Sequence, residues 1–283
     1  YLIVFFGSQA HSSLASQWSW RIFFEQDPLF LYLTGINQQD FILVINPFTK
    51  EEILFCSVKD AKKEFWEGVQ FGCGTKSGDL ELRQITGFSE VRPLHKFSEY
   101  IKEQLHSSWF FDDGKKVMTY YNVDSKGKPI QDSLFHSVKR LKRLMKDTGV
   151  NSSRLVNANQ IQWQFRSLLD EVDQSNLRLA NNKTADCFIK FCQKLKTFHS
   201  EQTASGFLLG QINQQTCHHP SFPPIVAAGK NATILHYCKN NESFQGNELL
   251  LLDFGVRYYS MPADISRTVP INGRFNPLQA LCY

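Results

Sequence analysis

Two aspartates near the end of the chain, Asp253 and Asp264, could together bind a divalent cation. The apolar run 249–252 ends in the first, and a second β-type segment follows the other, so the two segments predict one β-hairpin. Cβ atoms that lie opposite each other in such a pair are about 4.5–5.5 Å apart, so we expect the two carboxylates to face each other. Facing carboxylates repel unless a proton or a cation separates them. With His236 a short strand upstream, the pattern predicts half of a metal site.

A plainer interpretation exists for each of these residues. Two aspartates at this spacing are often ordinary turn and strand-end residues, and a histidine within an Ile-Leu-His-Tyr strand is often a core residue. The surrounding sequence favours function. Residues 223–237, 252–255 and 264–275, in this order and spacing, resemble the pita-bread metallopeptidases, specifically the Xaa-Pro aminopeptidase and prolidase branch.

The first half of the chain carries the same resemblance in shorter motifs. Residues 21–35, the strand 41–45 and the Phe-Trp-Glu-Gly run 65–68 are similar to the amino-terminal domain of aminopeptidase P and prolidase. The resemblance therefore covers most of the chain. It implies a homo-oligomer built through the amino-terminal domain.

In the resembled family, five side chains hold a dinuclear metal centre, and the first two match Asp253 and Asp264. The resemblance implies Mn²⁺ as the metal, with Zn²⁺ or Co²⁺ as alternatives. His236 matches a histidine beside the metals that hydrogen-bonds the substrate or the oxyanion of the intermediate. Arg267 and Thr268 resemble residues that orient a carboxylate ligand by hydrogen bonds, although for Arg267 a solvent-exposed strand end is an equal interpretation.

The other three family ligands, one His and two Glu, come from a part of the catalytic domain that follows Tyr283. At most one of the adjacent pair His218 and His219 could point at a shared ion, because neighbouring residues on a strand face opposite ways. Without those ligands the site would hold ions weakly. A truncated product, a longer polypeptide and a fragment completed by another chain would each explain this, and we expect the longer polypeptide.

Two positions depart from the family pattern. Phe254 stands where a small residue is usual and is expected to narrow the pocket, and Pro262 removes a ladder hydrogen bond just ahead of Asp264. Either departure indicates an altered specificity or a non-catalytic relative.

The activity that the resemblance implies is release of the first residue from peptides with proline in second position, by attack of a metal-bridging hydroxide. Prolidase, which cleaves Xaa-Pro dipeptides, is the alternative within the class. A non-catalytic pita-bread module that binds peptides or proteins is the alternative outside it, and creatinase-like C–N hydrolysis is a remote third.

The composition of 283 residues, 42% hydrophobic with a net charge of +4, suits a folded chain of two domains. Basic residues concentrate at 139–146 with helical spacing of apolar residues, which indicates a solvated helix face and no nucleic-acid binding. Apolar runs are too short to span a membrane. Seven cysteines without a Cys-x-x-Cys pair predict neither disulfides nor a thiolate zinc site, and fit a cytoplasmic location.

The chain divides into two parts, and the sequence of each part predicts a domain. Residues 1–153 alternate strands with helical segments and predict an α/β domain of the creatinase/prolidase type, a mixed sheet with helices. A polar, turn-rich stretch at 147–153 predicts the domain boundary. Residues 154–283 predict helices at 162–179, 185–195 and 201–211, followed by short β segments. That order fits the first half of an α+β pita-bread domain.

Overall fold

A computed structural model describes residues 1–8, 24–111, 114–132, 134–215 and 220–283. Residues 21–23 of the first motif, and the pair His218 and His219, lie outside the described residues. Contacts divide the chain into two units, Tyr1–Ser167 and Leu168–Tyr283. The first unit extends past Ser153, because the strand Leu155–Asn157 forms its backbone hydrogen bonds with the first unit's sheet.

The first unit is built from these described elements. Its strands are β1 Leu2–Phe6, β2 Phe41–Asn46, β3 Glu51–Cys56, β4 Glu90–Pro93, β5 Val117–Thr119 and β6 Leu155–Asn157. Its α-helices are α1 Pro28–Thr34, α2 Ala61–Glu67, α3 Lys76–Thr86, α4 Phe97–His106, α5 Ser108–Phe111, α6 Phe135–Asp147 and α7 Asn159–Arg166. Short 3-10 helices lie at Leu94–Lys96 and Ser152–Arg154.

The strands form a mixed sheet in the order β4-β3-β2-β1-β5-β6 among the described residues, which confirms the predicted α/β class. β1 pairs antiparallel with β2 and parallel with β5. Successive side chains of β1 point to opposite faces, so Val4 and Phe6 join one buried cluster and Phe5 joins the other. Helices α4 and α6 pack on the first face, and α1 and α3 contribute to the second.

The motif that ends in Gly35 forms α1 through its two caps. The side chain of Asp27 accepts hydrogen bonds from the backbone N–H groups of Leu29 and Phe30, and Pro28 occupies the first helical position. Gly35, at φ 69°, adopts the left-handed conformation that ends the helix. Sequence alone therefore sets both ends of this helix.

The second unit contains α8 Glu171–Lys194, a 3-10 helix Leu195–Thr197 and α9 Glu201–Gln214, followed by β7 Ile225–Ala228 and a 3-10 helix Gly229–Thr233. The remaining elements are β8 Leu249–Phe254, β9 Arg257–Tyr258, β10 Met261–Pro262, β11 Ile265–Pro270 and α10 Pro277–Cys282. The predicted helix 162–179 is wrong in extent. Asp170 caps α8 by accepting from the N–H of Asp173, which starts a new helix, and α8 then continues through the predicted gap at 180–184.

The sheet of the second unit is antiparallel in the described order β11-β8-β7. Alternate residues of β8, namely Leu250, Leu252 and Phe254, are buried in a cluster that includes residues of α8 and α9. Phe254 is fully buried on this face, whereas Asp253 lies on the other. The expectation that Phe254 narrows the pocket is therefore wrong, because its ring fills the core behind the sheet.

No described helix has the length and apolar character that crossing a membrane requires.

Candidate metal and catalytic site

The predicted hairpin is present and extends beyond the paired strands β8 and β11. β8 pairs with β11 from Leu249 opposite Pro270 to Phe254 opposite Ile265, and β9 pairs with β10 in the same register. The N–H of Ala263 donates to the carbonyl of Val256 at 3.0 Å between these two pairs of strands. The segment 249–270 is thus one continuous antiparallel hairpin.

The turn of this hairpin fixes which residues face each other. Tyr259 and Ser260 both have positive φ angles, 42° and 69°, as a two-residue type I′ turn requires. Asp253 consequently lies opposite Ser266. The same register places Asp264 opposite Gly255.

The two aspartates therefore do not face each other directly, which corrects the predicted arrangement. They occupy diagonal positions on one face of the sheet, since Asp264 is two residues from Ser266, the partner of Asp253. Diagonal neighbours on a sheet have Cβ atoms up to about 7–8 Å apart. That separation leaves room for a cation between the two carboxylates.

Ser266, which the sequence did not indicate, supports Asp253 directly. Its hydroxyl donates a hydrogen bond of 2.7 Å to Asp253 Oδ1. Asp253 is half-buried and Asp264 is exposed. One carboxylate is therefore held in place by its neighbouring strand, while the other is open to solvent.

Arg267 and Thr268 fall on different faces of β11. Thr268 lies opposite Leu251, on the face that carries the two aspartates. Arg267 alternates to the other face, and its Nη1 donates to the backbone carbonyl of Ser266 at 2.8 Å. The residue placed against a carboxylate is Ser266, and only the strand register could have identified it.

Gly255 lets the hairpin close beside Asp264. A Cβ atom at this position would lie 1.6 Å from the carbonyl oxygen of Ala263 and 2.4 Å from its carbonyl carbon. No other residue fits without moving the opposite strand. The glycine of the Asp-Phe-Gly run is therefore required by the close approach of the backbone.

His236 is not on a strand, so that expectation is wrong. It lies in a turn after the 3-10 helix Gly229–Thr233, and its side chain is exposed. Gly229, at φ +51°, redirects the chain at the end of β7, and a Cβ there would meet Glu248 Oε1 at 2.3 Å. The histidine therefore depends on the loop for its position and not on a sheet ladder.

A buried carboxylate that the sequence analysis overlooked, Glu201, lies beneath this loop. Its side chain accepts hydrogen bonds from the N–H of Ala228, Asn231 Nδ2, the hydroxyl of Tyr237 and the N–H of Glu242. Glu201 has no exposed surface. The sequence signal was only its place at the start of a helix, after the capping Ser200.

These contacts shift the pKa of both ionisable partners. Burial by itself raises the pKa of Glu201, but the four hydrogen bonds outweigh it and hold that pKa below the ordinary glutamate value. Burial and the hydrogen bond to Glu201 raise the pKa of Tyr237 to about 12. The pair is therefore a carboxylate and a neutral phenol across the neutral range.

Within the described part of the chain, no three His, Cys, Asp or Glu side chains converge as a complete metal site would require. Asp253 and Asp264 are the predicted ligands that the hairpin places on a common face. Oxygen donors of this kind suit hard or borderline divalent ions. The geometry therefore offers two carboxylates toward such a site.

Comparison with known proteins gives the same order of domains. Residues 3–109 match the aminopeptidase P N-terminal domain, and residues 175–283 match metallopeptidase family M24. Mouse Xaa-Pro aminopeptidase 3 is 27% identical over 92% of this chain and 49% of its own length. Xaa-Pro aminopeptidase of Escherichia coli is 24% identical over 99% of this chain and 60% of its own length.

The fold agrees with a solved structure as well. The zinc-substituted E. coli aminopeptidase P in complex with product superposes with a TM-score of 0.78 and 21% identity, over 98% of this chain and 60% of that one. An aminopeptidase P N-terminal domain followed by an M24 pita-bread domain defines a class of two-domain metallopeptidases. The chain combines these two domains and is similar in sequence to the Xaa-Pro aminopeptidases of that class. It spans about half the length of the mouse relative and 60% of the E. coli one.

Proposed function

We propose that this chain supplies the first part of the active site of a metallo-aminopeptidase that removes the residue preceding a proline. The observation that carries the proposal is the placement of Asp253 and Asp264 on one face of a single hairpin, in a chain of this family. The alternative for the same site is prolidase activity, with Xaa-Pro dipeptides as the substrates.

Asp253 and Asp264 would hold two divalent ions, for which Mn²⁺ is our first choice and Zn²⁺ or Co²⁺ are the alternatives. All the donor atoms at these two positions are carboxylate oxygens, which suit Mn²⁺. The related E. coli enzyme has been observed in a zinc-substituted form. When bound, such ions lower the pKa of a coordinated water and polarise a carbonyl. Ser266 would keep Asp253 in one orientation through its 2.7 Å hydrogen bond.

His236 would hydrogen-bond the substrate or stabilise the developing oxyanion. An imidazole can donate or accept a proton near neutral pH, and this one is exposed at the tip of its loop. Ile234 and Leu235 beside it are 52% and 89% exposed, which gives an apolar surface for a proline ring. Thr268 remains proposed as a residue that orients the carboxylates, because it lies on their face of the sheet, whereas Arg267 lies on the opposite face.

We also propose peptides with proline in second position as substrates, a cytoplasmic location and a homo-oligomer formed through the first unit. The exposed Phe65 and Trp66 on α2, at 80% and 82%, are compatible with a subunit contact there. No disulfide joins the described cysteines, which is compatible with the proposed reducing compartment.

The test measures Mn²⁺ binding by calorimetry and hydrolysis of an Xaa-Pro-Yaa tripeptide by the purified protein. Asp253→Asn is expected to lower the affinity for Mn²⁺ at least about tenfold and to abolish hydrolysis, because it removes a charged ligand. Ser266→Ala is expected to lower the affinity about tenfold, the usual effect of losing a group that orients a ligand.

The matched control is Asp186→Asn, which changes an exposed carboxylate on α8 in the same way. Equal loss in Asp186→Asn and Asp253→Asn would contradict the assignment of the site. If the protein hydrolyses an Xaa-Pro dipeptide faster than the tripeptide, the activity is that of a prolidase and not of an aminopeptidase. Absence of both Mn²⁺ binding and hydrolysis in the unaltered protein would refute the proposed function.

A further inference from the structure

The loop that carries His236, here called the His236 loop and defined as residues 229–242, has an exposed tip and buried anchors. Ile234, Leu235 and His236 at the tip are exposed. Asn231 and Tyr237, below the tip, are buried at 8% and 5% exposure. Packing in the core therefore cannot fix the tip directly, and its position depends on how the two sides of the loop are tied down.

Both sides of the His236 loop are hydrogen-bonded to the carboxylate of Glu201, one side to each oxygen. Glu201 Oε1 accepts from the N–H of Ala228 at 2.8 Å and from Asn231 Nδ2 at 3.0 Å, where the loop begins. Glu201 Oε2 accepts from the hydroxyl of Tyr237 at 2.6 Å and from the N–H of Glu242 at 3.0 Å, where the loop ends. The width of one carboxylate thus sets the separation of the two sides.

The anchor is itself fixed. Glu201 is the first residue of α9, where the side chain of Ser200 accepts from the N–H of Thr203 and caps the helix. The N–H of Glu201 also donates to the carbonyl of Glu242 at 2.9 Å. Helix, cap and carboxylate therefore form one rigid support below the loop.

We infer that Glu201 is a positioning residue for His236, acting through the His236 loop and touching neither substrate nor metal. The inference rests on the proposed function for the role of His236. The four hydrogen bonds that Glu201 accepts from the two sides of the loop, here called the Glu201 clamp, do not depend on that function. The clamp and the proposed function can therefore be tested separately.

A carboxylate is needed because all four partners are donors. Ionised glutamate is acceptor-only, with two oxygens that each take two hydrogen bonds. The amide of glutamine has one acceptor oxygen and one NH₂ group, which only donates. On one side of the loop the NH₂ group would therefore meet donors and could not accept their hydrogen bonds. Aspartate keeps the charge but is one methylene shorter. Glu201→Gln is therefore expected to release one side of the loop while leaving side-chain volume unchanged.

The first measurement is hydrogen exchange of single amides by NMR. In Glu201→Gln, the amide of either Ala228 or Glu242 is expected to exchange about tenfold faster or more, as the loss of a hydrogen bond to a charged group allows. Amides in the middle of β2 and α6 are expected to keep their rates. Tyr237→Phe removes one donor from Oε2 and is expected to give a smaller increase, confined to the end of the loop.

The matched control is Glu242→Gln, since this exposed side chain undergoes the same chemical change and keeps its backbone N–H on Glu201. Its exchange rates should equal those of the unaltered protein. Uniform acceleration across both units in Glu201→Gln would show a general loss of stability and overturn the positioning role. Unchanged rates at both Ala228 and Glu242 would also overturn it.

The second measurement is kinetic and uses the same variants with an Xaa-Pro-Yaa substrate and Mn²⁺. Glu201→Gln is expected to lower kcat about tenfold with KM changed less than about twofold, because the clamp acts on an interaction made in the transition state. Combined with His236→Ala, it is expected to cause no further loss, since residues that act as one unit are not additive.

Additive losses in the double variant would mean that Glu201 does not act through His236, which overturns the inference. If the unaltered protein cleaves no Xaa-Pro peptide, the proposed function fails. In that case the exchange rates still decide whether Glu201 clamps the loop.

Discussion

At the scale of single residues, the buried Glu201 is the clearest case of a charge stabilised by its surroundings. A carboxylate without exposed surface is costly unless donors replace the lost water. Here two backbone N–H groups, an amide and a phenol provide that replacement. The net effect is a lowered pKa, so the folded protein prefers the ionised form more strongly than the unfolded chain does.

This preference predicts how stability depends on pH. Because the folded-state pKa of Glu201 lies below its ordinary value of 4.5, its contribution is present above that value and is lost as the pH falls through the folded-state pKa. Tyr237, with its pKa raised to about 12, stays neutral throughout and keeps donating. Urea unfolding at pH 7 should show Glu201→Gln less stable than the unaltered protein by about 1.5–3 kcal/mol.

The difference between the two proteins should shrink when unfolding is repeated at steps from pH 5 to pH 3. Comparing the pair at each pH removes the effect of every other carboxylate. A difference that stays constant over this range would mean that folding does not lower the pKa of Glu201.

At the scale of elements, the hairpin 249–270 decides the geometry of the candidate site. Its two-residue turn at Tyr259 and Ser260 sets the register, and the register puts Ser266 against Asp253. Gly255 then permits the contact with the backbone of Ala263 that keeps both strands together next to Asp264. A change at Gly255 should therefore disturb the site and the fold at once.

Gly255→Ala is expected to destabilise the protein by at least about 2 kcal/mol, because a Cβ there would overlap a backbone carbonyl. The free energy of unfolding in urea measures this. The control is Gly206→Ala in α9, where a Cβ meets nothing within 4 Å and alanine suits a helix better. That change should stabilise by about 0.5–1 kcal/mol. Similar stability of the two variants would contradict the packing described at Gly255.

Sequence periodicity located several elements well and others poorly, for local physical reasons. β2 was predicted within a residue of its end, since a run of β-branched and aromatic residues between polar turns determines it locally. The first residue of α9 was also predicted. Helix α8 was divided wrongly, because its apolar positions do not form one continuous stripe. The turn at Tyr259 and Ser260 has neither Asn nor Gly, so its type could not be read from composition.

At the scale of the whole molecule, the two units have separate cores, and their burial controls the reactivity of the thiols. Cys56 and Cys73 are buried in the first unit and Cys187 in the second. The hydrogen bond with Cys73 and, after it, burial raise the pKa of Cys56, and burial raises the pKa of Cys192. Thiolate is the reactive form, so both burial and a raised pKa slow alkylation.

Iodoacetamide at pH 8 is therefore expected to label Cys238 and Cys282, which are exposed, much faster than the buried cysteines. Cys217 lies outside the described residues, so the experiment uses Cys217→Ser to keep the count unambiguous. Intact mass should rise by two adducts in the fast phase, and peptide mapping should place them. Early labelling of Cys56 or Cys187 would contradict the described cores.

Sequence motifs alone indicated the family resemblance, the mixed α/β sheet followed by a pita-bread unit, and the two aspartates on one hairpin. Those features depend on local patterns and on the identity of motif residues, which a linear chain displays directly. The folded structure was needed to show that Asp253 and Asp264 lie diagonally, that Phe254 points into the core, and that Ser266 supports Asp253. It alone joined Glu201 to the His236 loop, because those hydrogen bonds link residues up to 41 positions apart. Contacts at such separations arise from the way strands and helices pack, and no local pattern encodes them.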